Sequence, residues 1–154
     1  MGSLPTRRFG RTGLEIPLLS LGTMRCQQSW SDLPAEEISD TSQLQLQATL
    51  DRAVAEGFHH VETARHYGTS ERQLGWALPK TPDAKRLLQS KVPPRDDVVA
   101  FEAELELSFE RLDCDRLDLL AIHGINLPEH LEQTLRPGGC MEVVRHWQAQ
   151  GRIG

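Results

Sequence analysis

The stretch FHHVETARHYGTSERQLGWAL, residues 58–78, joins a short strand pattern to the start of an amphipathic helix. Residues 58–62 predict a strand. Ser70 is predicted to begin the helix, because its hydroxyl and the Gln73 side chain fit a capping box. Tyr67, the only tyrosine of the chain, lies in the turn between them. A strand followed by a helix is the unit of an α/β fold with a parallel sheet.

The same alternation of strand and helix continues on both sides of residues 58–78. The predicted strands cover residues 17–21, 58–62, 87–92 and 117–122, and their ends fall near Gly22, Glu62, Lys91 and His123. Successive strand ends lie about 30 residues or more apart, which matches the length of a β-α-β unit. Four such units predict a parallel sheet covered by helices, either open and doubly wound or closed into a barrel.

Two segments outside these units complete the chain. Residues 7–16 predict a small hairpin around a glycine-bounded turn, and residues 152–154 look like the opening of a further strand. We therefore expect one domain over residues 1–154, with the four strand-helix units over residues 17–154. Residues 1–3 are expected to be a tag or a disordered start.

Polar residues predict where the helices begin. We expect Thr41 or Ser42 to cap the first helix and Gly57 to end it. Asp96 and Asp97 follow the third strand, where an anionic side chain stabilises the start of a helix. The first three predicted strands are therefore each followed by a helix with its own start signal.

Composition and charge exclude several classes of function. The 154 residues carry a net charge of −5, which gives no basic footprint for nucleic acid. No apolar stretch is long enough to cross a bilayer, and the first residues lack the apolar segment of a signal peptide, so we expect a cytoplasmic protein with no membrane partner. Cys26, Cys114 and Cys140 are too widely spaced for a zinc or thiol redox motif, so we expect no metal site.

Four titratable residues are predicted to meet at one edge of the sheet. Ligands of α/β folds bind at the carboxyl ends of the parallel strands. Glu62, Lys91 and His123 end three of the predicted strands, and Tyr67 follows soon after Glu62. Each could serve structure alone, as a turn cap, a surface cation, a core histidine or a packed ring. Their convergence favours a functional site.

This set of side chains suits the protonation of a developing alkoxide. A free phenol is a poor acid at neutral pH, but a nearby ammonium stabilises the phenolate. Lys91 would therefore make Tyr67 a stronger acid, and the Glu62 carboxylate would hold the ammonium in place. His123 would orient a substrate carbonyl by donating a hydrogen bond from its ring. Lys91 could instead form a Schiff base, as in an aldolase-type barrel.

Several motifs in a fixed order resemble the aldo-keto reductases. They are RRFGRTGL at residues 7–14, LGTM at residues 21–24, TA-x-x-YG-x-SE-x-x-LG at residues 63–75, SKV at residues 90–92 and DLLAIH at residues 118–123. The resemblance extends over essentially the whole chain. It implies a (β/α)8 TIM barrel that uses NADPH to reduce the carbonyl groups of small aldehydes and ketones through an Asp, Tyr, Lys and His tetrad.

The resemblance also assigns roles residue by residue. Tyr67 resembles the general acid, Lys91 the lysine that strengthens this acid, and His123 the histidine that orients the substrate. Glu62 stands where the family usually has aspartate, so the carboxylate is kept but is one methylene longer. The contact between Glu62 and Lys91 is expected to be kept. The extra methylene would alter the rate of the reduction.

The cofactor site and the extent of the chain follow from the same resemblance. Gly22, Thr23 and Met24 resemble the first-strand loop beside the nicotinamide, and NADPH over NADH is implied by resemblance only. A barrel of about 250 residues has eight units and binds phosphates after strands 7–8. We therefore expect the chain to be an N-terminal half, with most of the NADPH site beyond Gly154, and to be inactive alone. Its open sheet edges would favour pairing with another copy.

Two further implications concern the longer protein and its role. Residues 62–67, 122–126 and 135–140 look like a bacterial and cyanobacterial branch that carries a ferredoxin-like iron–sulfur segment at its C-terminus. No cysteine of this chain would bind that cluster. Relatives of the fold also include potassium-channel β subunits, so the alternative function is a nucleotide-binding regulatory module with negligible turnover.

Overall fold

The chain opens with an antiparallel hairpin. The computed structural model describes residues 4–83 and 85–154. Strands β1 (Thr6–Arg8) and β2 (Glu15–Pro17) pair so that Arg7 lies opposite Ile16. The hairpin predicted from the glycine-bounded turn is therefore confirmed, whereas the expectation for residues 1–3 falls outside the described residues.

Parallel strands form the main sheet, in the order β3-β4-β5-β6. Their bounds are Leu21–Gly22 for β3, His60–Glu62 for β4, Leu87–Val92 for β5 and Leu119–Ile122 for β6. Leu117, just before β6, forms a parallel bridge with Ile153. The predicted parallel sheet is confirmed, and residues 152–154 begin to extend it beyond β6.

Helices follow each strand of the main sheet. Their bounds are Asp40–Ala55 for α1, Ser70–Ala77 for α2, Val98–Leu112 for α3, Pro128–Leu135 for α4 and Cys140–Ala149 for α5. Single 3-10 turns at Ala35–Glu37 and Leu78–Lys80 precede α1 and follow α2. Across the described ranges, none of the helices combines the length and the apolar character needed to span a bilayer.

The first strand of the sheet is shorter than its apolar run predicts. Pro17 belongs to the hairpin, and the N–H of Leu18 donates to the carbonyl of Pro5, so the chain still follows β1 at this point. Leu18 and Leu19 are exposed, and only Leu21–Gly22 joins the sheet. A short apolar run does not by itself show which residues pair with a neighbouring strand.

The ends of the helices agree only in part with the sequence pattern. Ser39, not Thr41 or Ser42, caps α1, and its hydroxyl accepts a hydrogen bond from the N–H of Ser42. Gly57 follows the end of α1 with φ +90°, as expected for a glycine that stops a helix. Asp97 caps α3 by accepting from two N–H groups of its first turn, which confirms that prediction.

The capping box predicted at the start of α2 is wrong. Thr69 is the N-cap, and Ser70 is already helical. The Ser70 hydroxyl instead lies 2.8 Å from the hydroxyl of Thr23 and 3.0 Å from that of Thr63. Gln73 accepts a hydrogen bond from the Thr69 hydroxyl at 2.8 Å. Partners in the loops directly after β3 and β4 have replaced the local backbone contact, and they tie α2 to the edge of the sheet.

Buried and half-buried side chains alternate along β5, so one face of the strand packs into the core and the other does not. Leu88 and Val92 are buried, whereas Gln89 and Lys91 are half-buried on the opposite face. Successive side chains of a strand point to opposite faces, so the buried set packs under the helices. The core includes Leu50, Leu74, Phe101, Leu105, Phe109, Leu112, Leu117 and Trp147. The strand therefore presents Lys91 away from the core that holds it in place.

A buried ion pair joins the turn after β4 to the rest of the fold. Arg65 in this turn donates to the carboxylate of Glu71 in α2, and Glu71 also accepts a hydrogen bond of 2.6 Å from the Ser90 hydroxyl of β5. Burial raises the pKa of the Glu71 carboxyl, although Arg65 and Ser90 act in the opposite direction. Asp32 is a second partner of Arg65, at 2.6 Å. A buried guanidinium is stable only when it is paired in this way.

Replacing Glu71 by Gln is expected to lower the free energy of unfolding by about 3 kcal/mol. This is the lower end of the range for breaking a buried pair, because Asp32 still neutralises Arg65. Urea denaturation measures the change. The matched control is Glu56→Gln in the exposed pair Arg52–Glu56, where the loss is less than about 0.5 kcal/mol. Equal effects of the two variants would contradict a structural role of the buried pair.

Candidate active site

Tyr67 lies in a tightly held turn between β4 and α2. Its N–H donates to the carbonyl of Ala64 at 3.0 Å, and the N–H of Arg65 donates to the carbonyl of Lys91 at 2.9 Å. Gly68, with φ +52°, follows directly, and a Cβ there would lie 2.0 Å from the carbonyl oxygen of Ser29. Only glycine fits both the left-handed conformation and this close approach. The backbone of the turn is therefore tightly constrained at Gly68, and the Tyr67 ring is buried within it.

Lys91 contacts both Tyr67 and Glu62. Its Nζ donates to the Tyr67 Oη at 3.1 Å and lies 2.6 Å from Glu62 Oε2. Strand pairing explains the meeting: Glu62 of β4 is level with Gln89 of β5, and Lys91 lies two residues further along on the same face. The ammonium is therefore held between a carboxylate and a phenol, not extended into solvent.

His123 completes the group at the end of β6. Its backbone N–H donates to the carbonyl of Val92 at 2.9 Å. Its ring meets the Tyr67 ring edge-on, with centroids 5.6 Å apart. Burial lowers the pKa of the His123 ring, and the nearby positive charges of Lys91 and His66 lower it further. The structure thus brings together all four residues that the sequence singled out at this edge.

The Nδ1 atom of His123 is buried without a hydrogen-bond partner among residues 4–83 and 85–154. Glu62 raises the pKa of His123, but this effect is smaller than those of burial and of the neighbouring cations. The ring is therefore neutral at neutral pH. A neutral imidazole carries one N–H donor and one acceptor nitrogen.

The loop after β3 borders this group through Gly22, Thr23 and Met24. A Cβ on Gly22 would lie 3.2 Å from Glu62 Oε1, so glycine leaves room for the longer carboxylate. The Thr23 hydroxyl donates to the carbonyl of Glu62 at 3.0 Å and is buried beside Ser70, so it serves the structure. Met24 is exposed and leaves its side chain available to a ligand.

Three residues near Tyr67 escaped the sequence interpretation. Trp30 meets the Tyr67 ring edge-on at 6.4 Å between centroids, and Asp32 and Arg65 hold its loop. Trp30 and Asp32 lie in residues 30–40, a polar stretch whose sequence has neither strand nor helix periodicity. The available signal was a large aromatic residue in an otherwise polar loop, which often marks a binding surface. Within the part of the chain that the structure describes, no group of three or more His, Cys, Asp or Glu side chains could hold a metal ion.

Comparisons with known proteins agree with this architecture. The profile described as Aldo/keto reductase family matches residues 18–153. The structure of PA4992 from Pseudomonas aeruginosa, assigned to the aldo-keto reductases, has a TM-score of 0.77 at 25% identity and covers 96% of this chain and 57% of that chain. The thermostable aldo-keto reductase Tm1743, solved with the inhibitor epalrestat, has a TM-score of 0.69 at 31% identity, covering 97% of this chain and 52% of that chain.

More distant structures share the fold alone. The holo form of the aldo-keto reductase AKR11C1 from Bacillus halodurans has a TM-score of 0.66 at 19% identity, covering 97% of this chain and 46% of that chain. No curated protein matches the chain significantly. The chain spans about half the length of the solved structures it matches, so its sheet corresponds to part of their barrel. Because the family profile extends over most of the sequence, the chain belongs to the aldo/keto reductase family.

Proposed function

We propose that the protein containing this chain is an NADPH-dependent oxidoreductase that reduces aldehyde or ketone carbonyls to alcohols, with Tyr67 as the general acid. One observation carries the proposal: the Lys91 ammonium lies 3.1 Å from the phenol oxygen and 2.6 Å from the Glu62 carboxylate. Membership of the aldo/keto reductase family supports the same reaction class.

Tyr67 supplies the proton that the substrate oxygen needs. As charge develops on that oxygen, the phenol O–H donates to it, and the phenolate left behind accepts a hydrogen bond from the Lys91 ammonium. A charge-assisted hydrogen bond of this kind is stronger than a neutral one. Glu62 pairs with the ammonium at 2.6 Å and holds it beside the phenol. The phenolate therefore keeps the Lys91 ammonium as its direct charge partner after the proton transfer.

His123 positions the substrate and does not act as the acid. Its lowered pKa keeps the ring neutral, so it can donate one hydrogen bond to a carbonyl oxygen without giving up a proton. Its ring is edge-on to Tyr67 with centroids 5.6 Å apart, which supports the proposal that both groups act on the same substrate oxygen. Two donors on one oxygen would align the carbonyl for reduction.

The residues present fit a nicotinamide cofactor at this edge. NADPH, when bound, supplies the hydride, which side chains do not deliver to carbonyls. Gly22 offers a surface without a side chain and Met24 an exposed apolar one, and these two residues would hold the nicotinamide. Thr23 would contribute through its place in the loop, because its hydroxyl is already bonded.

Several features of the whole protein remain proposals. Barrels bind phosphates after strands 7–8, so most NADPH contacts would come from residues outside these 154, which alone would have little activity. The outer edge of β3, and the edge of β6 beyond the Leu117–Ile153 bridge, would pair with a second copy. A cytoplasmic location, NADPH over NADH, and an iron–sulfur segment elsewhere in the protein stay predictions from the sequence.

Replacing Tyr67 by Phe in the complete protein is expected to lower kcat by about 10²–10⁴-fold, the typical contribution of a general acid. The packing of the ring stays, so NADPH affinity should change less than about twofold. Steady-state kinetics and a fluorescence titration with NADPH measure the two quantities. Phe9→Tyr, the reverse exchange at an exposed residue, is the matched control.

Retained turnover in the Tyr67→Phe variant would contradict the role of the phenol. Nucleotide binding with negligible turnover of aldehydes, ketones and quinones by the wild-type protein would favour the regulatory module instead. Borohydride trapping of a substrate on Lys91 would favour the Schiff-base chemistry.

Replacing Glu62 by Gln is expected to lower kcat roughly 10- to 100-fold, because one charge-assisted hydrogen bond to the half-buried Lys91 ammonium is lost. Glu62→Asp keeps the charge and should retain more activity than Glu62→Gln. Glu56→Gln removes an exposed carboxylate and should leave kcat unchanged. Equal activity of Glu62→Gln and Glu62→Asp would show that the carboxylate does not support Lys91.

The lowered pKa of His123 predicts a specific dependence of stability on pH. As the pH falls below the ordinary value of 6.5, the unfolded chain binds a proton at His123 more readily than the folded chain. The contribution of His123 to stability is therefore present above that pH and is lost as the pH falls through the folded-state pKa. His123→Gln removes this part of the dependence, and urea denaturation over a pH series measures it.

Imidazole NMR titration gives an independent check on His123. Replacing His66 by Gln should raise the pKa of His123 toward its ordinary value, because one neighbouring positive charge is removed. An unchanged or lowered pKa in this variant would contradict the assigned cause.

A further inference from the structure

Three histidines and one arginine border a cavity next to the proposed carbonyl position. The cavity has a volume of about 310 Å³, and its wall includes His66, Arg95, His123 and His130. His123 is the residue proposed to orient the substrate, so the cavity opens directly beside the reacting group. The other three side chains have no part in the proton transfer proposed above.

The wall of this cavity offers hydrogen-bond donors and no carboxylate. The residues of the described ranges that line it include neither Asp nor Glu. A guanidinium only donates, and a protonated imidazole donates from both ring nitrogens. Pro93 and Pro94 lack an N–H and supply apolar ring surface. An apolar ligand would leave the donors without partners, whereas a group that carries negative charge would satisfy them.

Arg95 is held at its backbone and at its side chain. The Cys140 thiol accepts from the Arg95 N–H and donates to the Arg95 carbonyl, both at 3.4 Å. The guanidinium pairs with Glu104 through Nε at 2.9 Å and also through Nη2. Both of these contacts go to Oε1 of the carboxylate, and Nη1 makes no hydrogen bond within residues 4–83 and 85–154. Arg95 therefore has a donor left for a ligand.

His66 and His130 reach the same cavity from two other segments. His66 belongs to the turn after β4, is exposed, and has its ring centre 6.1 Å from that of His123. His130 belongs to α4, and its Nδ1 lies 3.0 Å from the carbonyl oxygen of Gly124, which fixes the ring. The short chain between the carbonyl and the carboxylate of a small oxo acid spans the separation of His66 from His123.

We propose that His66 and Arg95 bind a carboxylate of the substrate, with His130 closing the same cavity. The substrate class is small aldehydes or ketones that carry a carboxylate a short chain away from the carbonyl. This inference rests on the function proposed above and names its substrate class. A bound carboxylate would stabilise the charged form of both imidazoles. Glu104 already takes part of the Arg95 charge, so the wall suits a carboxylate better than a phosphate, which carries about two charges.

The kinetic test compares two aldehydes of similar shape in the complete protein. They are 4-oxobutanoate and 4-methylpentanal, in which methyl groups replace the carboxylate oxygens. Arg95→Gln should raise KM for 4-oxobutanoate roughly 10- to 100-fold, because one charge-assisted hydrogen bond is lost. KM for 4-methylpentanal should change less than about twofold, and kcat should stay the same for both, because the carboxylate contact is equal in the ground state and the transition state.

Further variants separate the carboxylate contact from other effects. His66→Gln should raise KM for 4-oxobutanoate less than Arg95→Gln does, and Arg95→Lys should keep part of the preference because it keeps the charge. Arg52→Gln, which removes a guanidinium from the exposed pair Arg52–Glu56, is the matched control and should leave both KM values unchanged. Turnover with equal KM changes for the two aldehydes in Arg95→Gln overturns the carboxylate site and leaves the proposed reaction standing.

A second readout does not depend on turnover. The imidazole NMR signal of His66, assigned by its loss in His66→Gln, should shift when 4-hydroxybutanoate is added and should not shift with 4-methylpentan-1-ol. A shift without turnover of either aldehyde supports the carboxylate site and removes the proposed reaction. No shift with 4-hydroxybutanoate, or an equal shift in Arg95→Gln, overturns the carboxylate site. An equal shift with inorganic phosphate overturns the preference for a carboxylate.

Discussion

The parallel pairing of β4 with β5 is the constraint on which the site depends. It puts Glu62 level with Gln89 and leaves Lys91 two residues further along on the same face. The ammonium then reaches a carboxylate on one side and the Tyr67 phenol on the other. A shift of one residue in this register would turn Lys91 toward the core and leave a buried cation without a partner.

The turn that carries Tyr67 is held by a second, deeper set of contacts. Arg65 and Glu71 form a buried pair that Ser90 joins from β5, one residue before Lys91. The N–H of Arg65 also donates to the carbonyl of Lys91. Tyr67 and Lys91 are therefore held in place through their neighbours in the chain. Buried charges cost free energy, and here they hold the phenol and the amine at hydrogen-bonding distance.

The electrostatic environments of His123 and Tyr67 differ. Burial, together with the positive charges of Lys91 and His66, lowers the pKa of His123, so its ring is neutral at neutral pH. Tyr67 has the ammonium as its direct neighbour and is the group proposed to release a proton. A carbonyl between them would receive one orienting and one reacting hydrogen bond. The difference between His123 and Tyr67 arises from their positions around the Lys91 ammonium, because both rings lie close to it.

Sequence alone determined the alternation of strands and helices, the parallel sheet, and the meeting of Glu62, Lys91, His123 and Tyr67 at one edge, because periodicity and strand ends are local properties of a chain. It did not determine the short first strand, the true partners of Ser70, or the loop of Trp30 and Asp32. Those depend on hydrogen bonds and ion pairs between residues far apart in the chain, such as Asp32 with Arg65 and Ser70 with Thr23. Local pattern cannot specify such partners, and only the packed tertiary structure decides which of them meet.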